Sequence, residues 1–144
     1  MDLHVSVLTI GQIAKAAGVT TPTVRYYEEI GLLPKAGRTS AGQRIYAESE
    51  LERLIFIRRC RDFGFSIDQV RVLAGLAISL REDCSQVRDM AHAHLSEVRQ
   101  KLAELQRLEA SLEAFANHCD TACAGGPGRD CVVFEDLKAR PGCC

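Results

Sequence analysis

At 144 residues, 47% hydrophobic and 26% charged, the chain has the size and composition of one modest globular core with an appended element. No run approaches the roughly 18 uninterrupted apolar residues of a membrane span, and MDLHVSVLTIG lacks the basic flank and cleavage site of a leader, so a cytoplasmic protein without membrane contact is expected. The net charge of −1 decides nothing about polyanions, but residues 1–75 carry 10 Lys and Arg against 8 Asp and Glu while residues 76–144 carry 8 against 11, which directs any nucleic-acid contact to the first half.

Two short helices joined by a tight turn open the chain. Thr9 is placed to cap a helix through Ile10, Ile13, Ala14 and Ala17, and Gly18 breaks it where the backbone of a helix-turn-helix needs a positive φ. Thr20 or Thr21 caps the next helix, TVRYYEEIG, with Pro22 in its first turn, where no backbone donor is needed. Residues 34–46, PKAGRTSAGQRIY, read as a turn-rich hairpin punctuated by Pro34, Gly37, Ser40 and Gly42. A third helix is expected from about Glu48 to Asp62, and a fourth over IDQVRVLAGL, capped by Ser66.

Residues 77–84 form a connector that contains Cys84. From Ser85 to about Asn117 there is neither Pro nor Gly, and Ala91, Leu95, Val98, Leu102, Leu105 and Leu112 alternate in steps of four and three, broken once at Glu109. That is the register of a coiled-coil seam. A helix roughly 50 Å long cannot be covered by so small a chain, and a second copy is the economical partner. Past His118 the pattern gives way to a loop, CDTACAGGPGRDC, a short apolar turn, VVFEDL, and a tail ending in Cys143 and Cys144.

The second helix and the hairpin carry the chemistry of DNA contact. Arg25 offers a guanidinium to base edges or phosphate, Thr20 and Thr23 offer hydroxyls to the backbone, and Tyr26 and Tyr27 add phenolic donors, although one of this pair serves equally well as core. Arg38, Arg44 and Tyr46 stand on the hairpin as a wing flanking the duplex.

Seven cysteines, an odd number, favour metal binding or redox chemistry over a disulfide framework in a reducing compartment. Cys119, Cys123 and Cys131 share one Gly-rich loop without a C-x-x-C pair, and thiolate sulfur selects soft ions. Cys84, 35 residues earlier, cannot reach that loop within one chain but would meet the loop of a partner in an antiparallel dimer. A permanently occupied structural zinc site and a redox role are the competing readings. Cys60 reads as a small buried hydrophobe, His92 and His94 face apart, and His118 is either a fourth ligand or a helix-end cation. No nucleotide loop, nucleophile–base pair or paired catalytic acids are present, so no enzyme is expected.

The stretches LTIGQIAKAAGVTTPTVRYYEEIGLLP, GQRIY and LIFIRRCRDFGFSIDQVRVLAGL strongly resemble the MerR family of transcriptional regulators. The resemblance implies a mainly α fold: a winged helix-turn-helix domain over residues 1–75, a linker and antiparallel dimerisation helix over 76–117, and a Cys-rich metal-binding loop and tail over 118–144. It also implies a homodimer on a palindromic promoter operator. Such a dimer twists and bends the DNA so that RNA polymerase engages both promoter elements. Arg25, Tyr26, Arg44 and Tyr46 match the family's usual DNA contacts. Cys84 matches the cysteine of sensors of divalent soft ions, where monovalent copper-type sensors usually carry serine, and Cys119 and Cys131 match the two loop cysteines. Cys123 is additional: three thiolates suit trigonal Hg(II) or Pb(II), and a fourth suits tetrahedral Zn(II) or Cd(II). The family's iron–sulfur redox sensors are the alternative, but they carry a C-x-x-C-x-C run that is missing here.

Overall fold

The computed structural model describes residues 6–123 and 125–139, which fall into two compact units divided between Asp89 and Met90. The elements of the first are β1 (Leu8–Thr9), α1 (Ile10–Ala17), α2 (Thr21–Glu29), β2 (Gly37–Arg38), β3 (Arg44–Tyr46), α3 (Glu48–Asp62) and α4 (Ile67–Ala77). Helix α5 (Ser85–Ala122) runs from this unit into the second, where α6 (Val132–Lys138) follows it.

Local signals set most of these boundaries. Thr9 Oγ1 accepts the Gln12 amide at 3.3 Å while the Thr9 amide donates to Gln12 Oε1 at 2.9 Å, a reciprocal cap that starts α1. Gly18 ends it with φ +69°, and a side chain there would also collide with Arg58, whose Nη1 sits 2.1 Å from the place of the missing Cβ. Thr20 is the residue that caps α2, and Ser66 and Gln69 build the same reciprocal cap on α4.

The sheet is antiparallel in the order β1-β3-β2, with Leu8 opposite Tyr46 and Arg38 opposite Arg44. Strand β3 thus ties the hairpin to the start of α1. Beneath it lies a core of Ile13, Val24, Leu32, Leu33, Tyr46, Leu54, Ile57 and Val70, each at most 1% exposed. Four arginines bind the layers together through carbonyls left open at helix ends and turns. Arg53 Nε donates to Leu32 O at 2.7 Å, Arg58 Nη1 to Ala17 O at 2.9 Å, Arg61 Nη1 to Phe65 O at 2.6 Å, and Arg71 Nη2 to Ile30 O.

Helix α5 buries none of its residues. Leu95, Val98, Leu102, Leu105, Leu108 and Leu112 are 42–62% exposed along it, an uncovered apolar face on a helix otherwise polar. Leu108 belongs to this face although the alternating count passes over it. It lies three residues after Leu105 and four before Leu112, and lines a shallow groove with both and with Glu109, so it fills the break at Glu109. The helix also runs to Ala122, five residues past the expected end at Asn117, and VVFEDLK is helical rather than a turn, with Val133 buried.

Candidate DNA-binding face and thiol loop

The residues expected to meet DNA divide by exposure. Arg25 and Tyr26 project from α2 into solvent, and Arg38 is exposed on the hairpin, its Nη1 donating to Gly42 O at 2.8 Å across the turn. Arg44 is 34% exposed, with Nε 3.4 Å from Glu28 Oε2. Thr20 and Thr23 spend their hydroxyls partly on each other: the Oγ1 atoms are 2.8 Å apart, and Thr20 Oγ1 also accepts the Thr23 amide. Their structural work is the cap.

Tyr27 and Tyr46 stand elsewhere than on the open face. Tyr27 is 7% exposed because it shares the inner edge of α2 with Val24 and Glu28, at the i, i+3, i+4 spacing of one helix side. Tyr46 is 1% exposed and donates its hydroxyl to Glu28 Oε1 at 3.0 Å. Burial, and then the Glu28 carboxylate, push its phenol up to about 12, while the charges of Arg44 and Arg25 act the other way. Both phenols are therefore packed inward: Tyr27 takes the core place that the sequence left open for one of the tyrosine pair, and Tyr46 stands away from the contact surface expected for it.

Glu28 is the buried carboxylate that the sequence pattern did not single out. Its Oε1 accepts both Tyr46 Oη–H and the Ala36 amide, the latter at 2.9 Å, so one carboxylate joins α2, the segment before β2, and β3. The spacing Val24–Tyr27–Glu28, read as a helix face, was the available signal.

The thiols lie in both units. Cys84 is exposed immediately before α5, and beside it Asp83 Oδ1 accepts the Ser85 amide at 2.8 Å and the Ser85 hydroxyl. Those bonds hold the Asp83 carboxyl below its usual range and secure the start of the helix. Cys119, expected in the loop, sits in the last turn of α5, one turn before Cys123, whose amide donates to Cys119 O at 2.9 Å. Cys119 and Cys131 are half-buried and Cys123 is exposed. Cys123 and Cys131 line a cavity of about 320 Å³ with Gly125, Gly126, Pro127 and Phe134. His118 Nε2 pairs with Asp136 Oδ2 at 2.9 Å, so α6 is drawn back against the end of α5 and the loop is closed at its base.

Among the described residues, no three His, Cys, Asp or Glu side chains of one chain gather as a metal site. Cys60 is buried on α3, and burial pushes its thiol up, as suits a small core residue. His94 is half-buried with Nδ1 3.7 Å from Glu97 Oε2. Cys143 and Cys144 lie outside the described residues.

Residues 8–75 match the model of the MerR HTH family regulatory proteins, and residues 51–115 match the MerR, DNA binding model. An HTH-type transcriptional regulator of Pseudomonas aeruginosa is 39% identical over 137 residues, covering 95% of this chain and 99% of the relative. The chain belongs to the MerR family. A relative named heavy metal-dependent transcription regulator 2, from Rhizobium meliloti, is 35% identical across 90% of this chain and 86% of its own. The transcription regulator PbrR691 from Ralstonia metallidurans CH34, solved in complex with lead(II), superposes with a TM-score of 0.76 at 35% identity, covering 90% of this chain and 98% of that one. MerR membership confirms the mainly α, winged helix-turn-helix architecture and makes the chain a regulator rather than an enzyme. No helix among the described residues is long and apolar enough to cross a membrane.

Proposed function

We propose that this MerR-family chain is a metal-responsive transcriptional regulator that binds promoter DNA as a homodimer. It activates transcription of metal-resistance genes when a soft divalent ion (Hg, Cd, Pb or Zn) is bound. The uncovered apolar face of α5 carries the dimer half of this reading, since a helix with no buried residue needs a partner of matching pattern. Arg25, Tyr26, Arg38 and Arg44 supply the DNA-facing surface, with Arg25 on the helix that enters the major groove and Arg38 and Arg44 on the flanking wing.

The donor set fits the ion. Cys84, Cys119, Cys123 and Cys131 are free thiols, none of them lost in a packed core, and sulfur ligands favour soft metals over Mg or Ca. Within one chain Cys84 and Cys119 are separated by nearly the whole of α5, at about 1.5 Å of rise per residue. Antiparallel pairing of two α5 helices brings Cys84 of one protomer to Cys119 and Cys131 of the other, with Cys123 as an optional fourth donor. A bound ion then supplies a link between the DNA-binding unit of one protomer and the thiol loop of its partner. The chain's own part is to hold Cys84 at the head of α5, through Asp83 and Ser85, where a change at the dimer seam reaches the winged domain directly. That domain in turn reshapes the promoter so that RNA polymerase engages it. The protein acts in the cytoplasm on this reading.

The test is a competition titration of the reduced chain with Hg(II), Cd(II), Pb(II), Zn(II) and Cu(I), followed by thiolate-to-metal charge-transfer absorption beside transcription in vitro. One divalent ion is expected to bind once per site and to raise transcription. Cu(I) as the sole inducer, or a visible iron–sulfur chromophore in anaerobically purified protein, overturns the choice of ion. On the DNA side, Arg25→Ala is expected to weaken binding by about 1–3 kcal/mol if the guanidinium reads a base edge, and the salt dependence of wild-type binding is expected to be steep. Unchanged affinity in the variant removes Arg25 from the interface.

A further inference from the structure

Glu28 is the one buried charged side chain among the described residues, 8% exposed. A carboxylate taken out of water is retained at a cost unless its oxygens are fully used. Here they are used across three segments at once: Oε1 for the Ala36 amide and the Tyr46 hydroxyl, Oε2 for Arg44 Nε at 3.4 Å. A hydrophobic residue would fill the same place on α2 beside Val24 and Tyr27 but would orient nothing on the wing. Arg44 faces Arg38 in the β2–β3 register, and the two line a shallow polar depression with Glu28, Glu29, Lys35 and Ala36. The Arg44 side of this basic face is therefore tied to the Glu28 carboxylate.

We propose that Glu28 is a positioning residue for DNA recognition, which locks the wing to α2 and holds the Arg44 guanidinium in the orientation that meets the duplex. Arginine loses less freedom per bond when its planar fork is held before contact. A single anion behind the fork achieves that without occupying the outward N–H groups, because Glu28 faces Nε. The device acts on discrimination between sequences more than on raw attraction, since correct orientation matters for a register-specific contact and hardly at all for a diffuse phosphate field.

This inference rests on the promoter-binding reading above. Its test uses the full-length reduced chain and two probes: the tightest duplex that the wild type selects from a random-sequence library, and a scrambled duplex of the same composition. Glu28→Gln keeps an oxygen for the Ala36 amide and the Tyr46 hydroxyl but loses the ionic hold on Arg44. It is expected to weaken binding to the selected duplex by about tenfold, with no loss on the scrambled one, because the variant is more positive. In an Arg44→Ala background the same change is expected to cost nothing further. Glu28→Asp serves if Glu28→Gln fails to fold: it keeps the charge and the Arg44 fork but draws the carboxylate back from Arg44 Nε, and is expected to show the same loss of discrimination at an unchanged salt slope. Additive losses in the cycle, or a parallel fall on both duplexes, overturn the positioning role and leave promoter binding standing. A wild-type chain that selects no duplex overturns the promoter reading and this inference with it.

Discussion

Cys84→Ser is expected to abolish the transcriptional response to metal while leaving operator affinity and dimerisation as in the wild type. The residue is exposed, one position ahead of α5, and touches nothing in the core, so a change of one atom there falls among surface substitutions worth at most about 0.5 kcal/mol of stability. Its contribution to a soft-metal site is of another order. A serine hydroxyl is neutral at pH 7 and a hard, weak donor, whereas a thiolate binds soft ions directly. Removing one of three sulfurs from a trigonal site leaves two thiolates on the loop of one protomer and no bond to the other, which is the bond the switch depends on. Titration of the variant should still show some charge-transfer absorption from Cys119 and Cys131, but at weakened affinity and without any rise in transcription. A variant that responds fully to every ion refutes the site shared between protomers. Loss of DNA binding instead assigns Cys84 a structural role.

How much of this was legible in the sequence depends on how local each signal is. Thr9, Gly18 and Ser66 act through the backbone of their own turn, and each sits where its spacing to the apolar residues predicts. The end of α5 was less readable. Asp120 and Thr121 are not helix breakers, so the helix continues to Ala122, and Cys119 joins it despite its neighbours in the loop. Helix α6 forms because Val133 finds cover and His118 finds Asp136, and both are tertiary events. The charge count directs nucleic-acid contact to the first half, where the helix-turn-helix lies, but it does not say which of the ten basic residues also hold the fold together. Arg53, Arg58, Arg61 and Arg71 each donate to a carbonyl at a helix end or turn, three of them while exposed. The tyrosines pose the same problem: Tyr26 and Tyr27 are adjacent and alike, and only the common face of Val24, Tyr27 and Glu28 sends one inward.

The double substitution Leu102→Glu with Leu105→Glu isolates the partner from the chain. In a single protomer both leucines already face solvent, at 54% and 62% exposure, and α5 buries nothing. Two carboxylates there should hardly disturb the folding of α1–α4, whose core is built from Ile13, Val24, Leu54, Ile57 and Val70. Between two paired helices the same groups would be buried without counter-charges, at a cost of several kcal/mol for each. The expected result is a monomer by sedimentation, with hydrogen-exchange protection retained in α1–α4. Operator affinity should fall by roughly a hundredfold or more, because a monomer reaches one half-site and forfeits the gain of binding both at once. Metal response should vanish with it, since Cys84 then has no partner loop to meet. A variant that stays dimeric and binds its operator undiminished places the interface elsewhere and leaves the apolar face of α5 without an occupant. A variant that is monomeric but still induced by metal moves the whole thiol site into one chain, against the separation of Cys84 and Cys119 along α5.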